Sequence, residues 1–128
     1  MLADGTNTIE AVLGIQRVTV EKDLVVATMP VDHRTHQPFG ILHGGASVVL
    51  AETVASLGTA VNIDLTRQMA AGLEINANHI RPKRDGVVTA RAVPVHRGRT
   101  TFVWDIRIVD EDDRLICMSR CTVAVRDL

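Results

Sequence analysis

Apolar positions recur along this chain in two rhythms. From 46 to 63 (ASVVLAETVASLGTAVNI) they run almost unbroken, with small residues filling the gaps, so the stretch reads as one helix apolar nearly all the way round. A helix without a polar face has to be covered on every side. One charge, Glu52, stands in its middle, and a carboxylate there is costly unless it is paired, hydrogen-bonded or used. Elsewhere the rhythm is two. Residues 15–21 and 24–31 read as a hairpin, with Ile15, Val18 and Val20 as the apolar positions of its first arm. Residues 66–83 read as a strand, with Leu73, Ile75 and Ala77 on one face and Glu74, Asn76 and Asn78 on the other. Three further strands are expected over 86–95, 100–109 and 115–126; in the middle one Phe102, Trp104, Ile106 and Ile108 face one way. A short helical turn is expected over 6–13, capped by Thr6 or Asn7, with Ile9, Val12 and Leu13 inward.

Short connections between neighbouring strands imply antiparallel pairing. The order is two strands, one long buried helix, then four strands. An α+β fold, a curved antiparallel sheet wrapped around a single helix, satisfies that order. No repeat, low-complexity stretch or linker divides the chain, and 1–128 reads as one domain.

Composition narrows the partners. A net charge of −1 gives no reason to expect nucleic acid or an anionic membrane, and 2% aromatic residues make a poor base-stacking platform. Cys117 and Cys121 lie four apart in one strand, so their Cα atoms would be ~13 Å apart, beyond the ~7 Å reach of a disulfide. They read as small core residues of a reduced, cytoplasmic protein. The N-terminal MLADGTNTIEAVLGI has no basic region or long apolar run, so no signal peptide is expected. The run over 45–63 approaches membrane-spanning length, yet it carries Glu52 and small polar residues and reads as soluble core. His33 and His36 read as solvated loop histidines, and no metal site is expected from them.

Candidate chemistry gathers where loop meets helix. In QPFGILHGG (37–45), Pro38 and Gly40 argue for a loop. Gly44 and Gly45 let backbone approach a ligand closely, where free N–H groups and the positive end of the helix dipole are exposed. That is a place to hold a carbonyl oxygen or an oxyanion, and His43 lies beside it. Donors, an imidazole and a buried carboxylate are the parts of acyl chemistry. His43 and Glu52, however, are nine positions apart, ~13 Å along a helix axis, and at ~100° per residue they point to opposite sides. One copy of the helix therefore cannot bring both to one carbonyl. Two copies packed antiparallel across a two-fold axis would place Glu52 of one chain near His43 and Gly44 of the other. Ser56, four residues after Glu52, shares its face and could orient a water. Arg81, Lys83, Arg84, Arg97 and Arg99 gather at two strand ends, either as ordinary charged turns or as a basic rim for a phosphorylated ligand; His79 and His96 are equally open.

The block MPVDHRTHQPFGILHGGASVVLAE, the segment GLEINANHIRP, and HGG followed by Glu52 resemble the hotdog-fold acyl-CoA thioesterases. The branch is the one containing 4-hydroxybenzoyl-CoA and 1,4-dihydroxy-2-naphthoyl-CoA thioesterases, and the resemblance covers nearly the whole chain. It implies that Glu52 is the catalytic carboxylate, as nucleophile or as general base on water. It further implies that the Gly44 N–H polarises the thioester with Gln37 assisting, that His43 positions the thioester and assists the leaving thiolate, and that Ser56 orients water or substrate. For coenzyme A it puts forward His79, Arg81, Arg97, Gly98 and Arg99. No metal or redox cofactor is implied, because coenzyme A arrives as part of the substrate. An aryl-CoA substrate, a place in menaquinone biosynthesis and a dimer of dimers are likewise what the resemblance implies; the dimer itself follows from the helix geometry. Three alternatives stand beside this reading. A proofreading thioesterase on aryl carrier proteins would use the same residues. A hotdog dehydratase or hydratase pairs histidine and acid differently and fits HGG with Glu52 poorly. A non-catalytic acyl-CoA-binding module would leave Glu52 an unexplained cost.

Overall fold

The unbroken apolar run forms α2 (Gly44–Ala60), and the period-two segments form one sheet that curves over it. The computed structural model describes residues 6–128; residues 1–5 of the stretch read as lacking a leader lie outside the described residues. After a short helix, α1 (Ile9–Leu13), come β1 (Gln16–Val20) and β2 (Val25–Pro30). Beyond α2 follow β3 (Gln68–His79), β4 (Val87–Arg97), β5 (Thr101–Val109) and β6 (Leu115–Asp127). The strand order is β1-β2-β4-β5-β6-β3, and every neighbouring pair is antiparallel. The helix thus carries the chain from the second strand across the sheet to its far edge. This is the hotdog architecture. Among the described residues no helix is long and apolar enough to cross a membrane.

The helix sits close to the sheet because its inner face is small. Leu50, Ala51, Val54 and Ala55 are fully buried against Met29, Val88, Trp104, Ile106 and Cys121. Gly58 lies directly on the Trp104 ring, and a Cβ there would come within 2.5 Å of the indole. The Trp104 Nε1–H donates to Thr59 Oγ1 at 2.9 Å, and that hydroxyl donates to the Ala55 carbonyl at 2.9 Å, so both buried polar groups are satisfied. Phe102, Trp104, Ile106 and Ile108 do share the buried face.

Several expectations need correction. The helix begins two residues earlier than its hydrophobic run, because His43 caps it and draws Gly44 and Gly45 into the first turn. It ends three residues earlier, where the Asn62 side-chain amide donates to the Gly58 and Lys22 carbonyls. Nor is α2 covered all round: Val48, Val49, Glu52, Thr53 and Ser56 form a stripe that the sheet leaves half-buried. In α1 only Leu13 packs on the core; Ile9 and Val12 are exposed, since a five-residue helix turns one side inward, and its N-cap is Thr8. Register irregularities break the alternation in four strands, the one in β6 falling where Ile116 is passed over between Leu115 and Cys117. Val18 falls in the irregularity between Arg17 and Thr19 and is exposed. Val95 does the same between Pro94 and His96, as befits a strand carrying proline, which cannot donate to the ladder. β4 therefore runs on through His96 and Arg97, which the spacing had put in the turn. The bulge at Leu73 bears on the site.

Candidate active site

Glu52 projects from the half-buried stripe of α2 into a cleft of about 690 Å³, which Val48, Thr53, Ser56, Leu57 and Met69 also line. The cleft wall is mainly apolar side chain, and the Glu52 carboxylate takes neither a hydrogen bond nor an ion pair among the described residues. Ser56 stands one turn along, on the same face, as its spacing required. Behind the carboxylate, burial first and then the charges of Glu52 and Glu74 push the Cys121 thiol up to about 12. That thiol stays protonated and is no nucleophile. Cys117 and Cys121 are both free and buried.

The other candidate residues stand at the start of α2. Its cap is made by His43, whose Nδ1 accepts the Gly45 N–H at 2.7 Å. Holding Nδ1 as acceptor selects the neutral tautomer with its proton on Nε2, so the ring presents a donor outward. The Gly44 N–H has no partner among the described residues and lies at the positive end of the helix. Gln37 lies in the preceding turn, where its Oε1 accepts the Phe39 N–H and its own N–H donates to the Ile41 carbonyl at 2.8 Å. Its side-chain N–H groups remain for a ligand. This loop is held from three directions: the His43 N–H donates to Thr35 O at 2.8 Å, the Leu42 N–H donates to Lys83 O at 2.7 Å, and His36 Nε2 donates to Arg84 O at 2.7 Å. His36 is thereby a structural donor rather than a merely solvated residue.

Within one chain the residues form two groups. Glu52 and Ser56 share the cleft; His43, Gly44 and Gln37 do not line it. The set put forward for coenzyme A also divides. His79 pairs with Cys117 at one end of the sheet, whereas Arg97, Gly98 and Arg99 lie at the turn before Thr101, which pairs with Ala124. Seven residue steps along β6 separate Cys117 from Ala124, or ~23 Å. A single chain does not gather these five residues at one place, because antiparallel order sends the two turns to opposite ends. Two of the cations in the basic rim are engaged: Lys83 pairs with Glu111 at 2.6 Å, and Arg81 Nη1 donates to the Leu115 carbonyl at 3.3 Å.

Sequence reasoning missed the place of His79. Residues opposite one another in a ladder share a face, so His79, paired with buried Cys117, turns toward the helix. Its ring lies over Gly44, with Nε2 2.7 Å from where a Cβ on that glycine would be. Extending the alternation of Ile75 and Ala77 by one step would have found it.

A single long helix wrapped by a curved antiparallel sheet is the fold of the hotdog thioester hydrolases, and the chain's relatives are of that class. The model of the Thioesterase superfamily matches residues 39–117. The chain is 50% identical to a 1,4-dihydroxy-2-naphthoyl-CoA hydrolase from Listeria monocytogenes, over 92% of this chain and 95% of that protein. It is 47% identical to a protein of the same name from Escherichia coli, over 96% of this chain and 90% of that one. The crystal structure of a variant of thioesterase PA1618 from Pseudomonas aeruginosa is similar with a TM-score of 0.93 at 49% identity, over 96% of this chain and 88% of that one. The chain belongs to the Thioesterase superfamily.

Proposed function

We propose that this thioesterase hydrolyses an aryl-CoA thioester of the 1,4-dihydroxy-2-naphthoyl or hydroxybenzoyl type to the free acid and coenzyme A, working as a homodimer with shared sites. The observation that carries the reading is the Glu52 carboxylate, which among the described residues has no partner in a mainly apolar cleft, on the helix whose first N–H, that of Gly44, is likewise without one. Similarity to two 1,4-dihydroxy-2-naphthoyl-CoA hydrolases supports the acyl class. In this reading the Gly44 N–H and the Gln37 amide polarise the thioester carbonyl; one such donor typically carries about 2.7–4 kcal/mol of transition-state stabilisation. Glu52 supplies the attacking oxygen, either that of a water it deprotonates and Ser56 orients, or its own, in which case a water then cleaves the resulting anhydride to release the acid and restore the carboxylate. The carbonyl carbon–sulfur bond breaks as the new carbon–oxygen bond forms, and the His43 Nε2–H donates to the departing thiolate. Because His43 and Glu52 point to opposite sides of one helix, the two groups meet at one carbonyl only across a dimer. No metal or redox group has a step in this scheme. Thiol release from a panel of aryl, phenylacetyl and medium-chain aliphatic CoA thioesters tests it. The aryl thioesters should turn over fastest, and Glu52→Gln should lose most turnover with little change in substrate affinity. Full activity in that variant would remove Glu52 from the mechanism, and an aliphatic preference would remove the aryl assignment.

A further inference from the structure

Among the described residues the Glu52 carboxylate makes no hydrogen bond, so its position there is set by packing. What it touches is the edge strand. A Cβ built on Gly72 would lie 2.6 Å from Glu52 Oε2, 3.2 Å from its Cδ and 3.8 Å from its Cγ. Gly72 comes to face the helix through the irregularity in β3. The pairing runs Ile75 to Cys121, Glu74 to Thr122, then Gly72 to Val123, so Leu73 is the extra residue. The alternation of the sequence puts Leu73 on the face of Ile75 and Ala77. The bulge instead swings Leu73 out to solvent, 54% exposed, and sets Gly72, itself exposed at the sheet edge, opposite Val123 on the side of the helix. A one-residue slip exchanges every side chain between the two faces, and bulges commonly re-aim a strand beside an active site. Without this one Leu73 would take the place opposite Val123 that Gly72 now holds.

We infer that Gly72, presented by the Leu73 bulge, is a positioning residue that sets the reach of the Glu52 carboxylate toward the thioester. This rests on Glu52 being the attacking group. The atom that a new Cβ would meet is the far end of a flexible side chain, not backbone, and Gly72 has no positive φ. Alanine at 72 is therefore accommodated by moving the carboxylate, while the sheet keeps its shape. A displacement of about 1 Å at a reacting group costs on the order of 10²-fold in rate.

The test is Gly72→Ala, alone and combined with Glu52→Gln, measured by steady-state thiol release and thermal melting. Gly72→Ala should melt at or above the parent temperature and leave KM within about twofold, with kcat lowered ~10–100-fold. In the Glu52→Gln background the same change should lower kcat no further, because the group it moves no longer reacts. A kcat unchanged in Gly72→Ala overturns the inference. So does a fall in kcat accompanied by a lower melting temperature, or an equal fall in the Glu52→Gln background, either of which marks a structural role. If Glu52→Gln itself keeps full turnover, the reading of Glu52 as attacking group fails first, and that outcome is distinct from the others.

Discussion

His79 Nε2 lies 2.7 Å from the point at which a side chain on Gly44 would begin. The imidazole closes over the first residue of α2, so the Gly44 N–H, which has no partner among the described residues, sits beneath a polar ring of the edge strand. Methylating that glycine would drive the ring aside. Gly44→Ala should therefore lower kcat on the order of 10–100-fold through misplacement of the carbonyl site. Removing the ring first should remove the collision, so Gly44→Ala made in a His79→Ala background should cost much less relative to that parent. Steady-state kinetics on the four proteins measures the coupling. Equal losses in both backgrounds would show that the collision is not what matters.

The separation of Glu52 from His43 gives a second prediction, about assembly. A site built from Glu52 of one chain and His43 of another is present once, intact, in a dimer of one Glu52→Ala chain and one His43→Ala chain. Random mixing makes half the dimers hybrid, with one good site in two, so about a quarter of parental activity should return from two inactive parents. Subunit exchange followed by a thiol-release assay measures it. No recovery, with hybrids demonstrated by native mass spectrometry, would place both groups in one chain's site.

How much of this was legible beforehand follows from how local each signal is. The helix, the six strands and the buried face of β5 could be read from apolar spacing, since one-sided burial imposes its period directly on the sequence. The candidates Glu52, Gly44 and His43 stood out equally, because a charge amid apolar residues and paired glycines before a helix are local anomalies. Bulges were not readable. Val18, Leu73 and Val95 look like core positions, and only the partner strand reveals that each is an extra residue turned outward. For the same reason the seat of Glu52 on Gly72 could not be seen. The five residues put forward for coenzyme A looked like one group because sequence spacing does not say to which end of a sheet a turn belongs.

Gly58 shows a packing requirement of opposite sign to helix propensity. Alanine in a helix interior is better than glycine by about 0.5–1 kcal/mol. Here the added carbon meets Trp104 at 2.5 Å, and that ring is fixed by its hydrogen bond to Thr59 and its stacking on Phe102. Overpacking a core in this way costs about 1–3 kcal/mol, which exceeds the propensity gain. With a net cost of about 1 kcal/mol, Gly58→Ala should melt roughly 3–6 °C below the parent. A higher melting temperature would mean that the indole shifts freely, contrary to its fully buried and bonded setting.

Acid should loosen the loop that supports the helix start. Residues 80–86 carry the carbonyls that receive the Leu42 N–H and His36, and they are fastened to the β5–β6 turn by Lys83 and Glu111, 2.6 Å apart. The hydrogen bond from Lys83, backbone N–H groups including that of Val87, and the Lys83 charge hold the Glu111 carboxyl at about 2, below its ordinary 4.5. With the folded value below the unfolded one, the unfolded chain binds more protons between these limits. The stabilisation is complete above about pH 4.5 and is lost as pH falls toward 2. Glu111→Gln abolishes this titration, so its melting temperature should fall less steeply than the parent's between pH 4.5 and 2, the two curves converging at the acid end. Asp32, held at about 2 mainly by hydrogen bonds from Arg34, titrates in both proteins and cancels in the difference. Parallel curves through that window would show that the Lys83–Glu111 pair does not fasten the loop in solution.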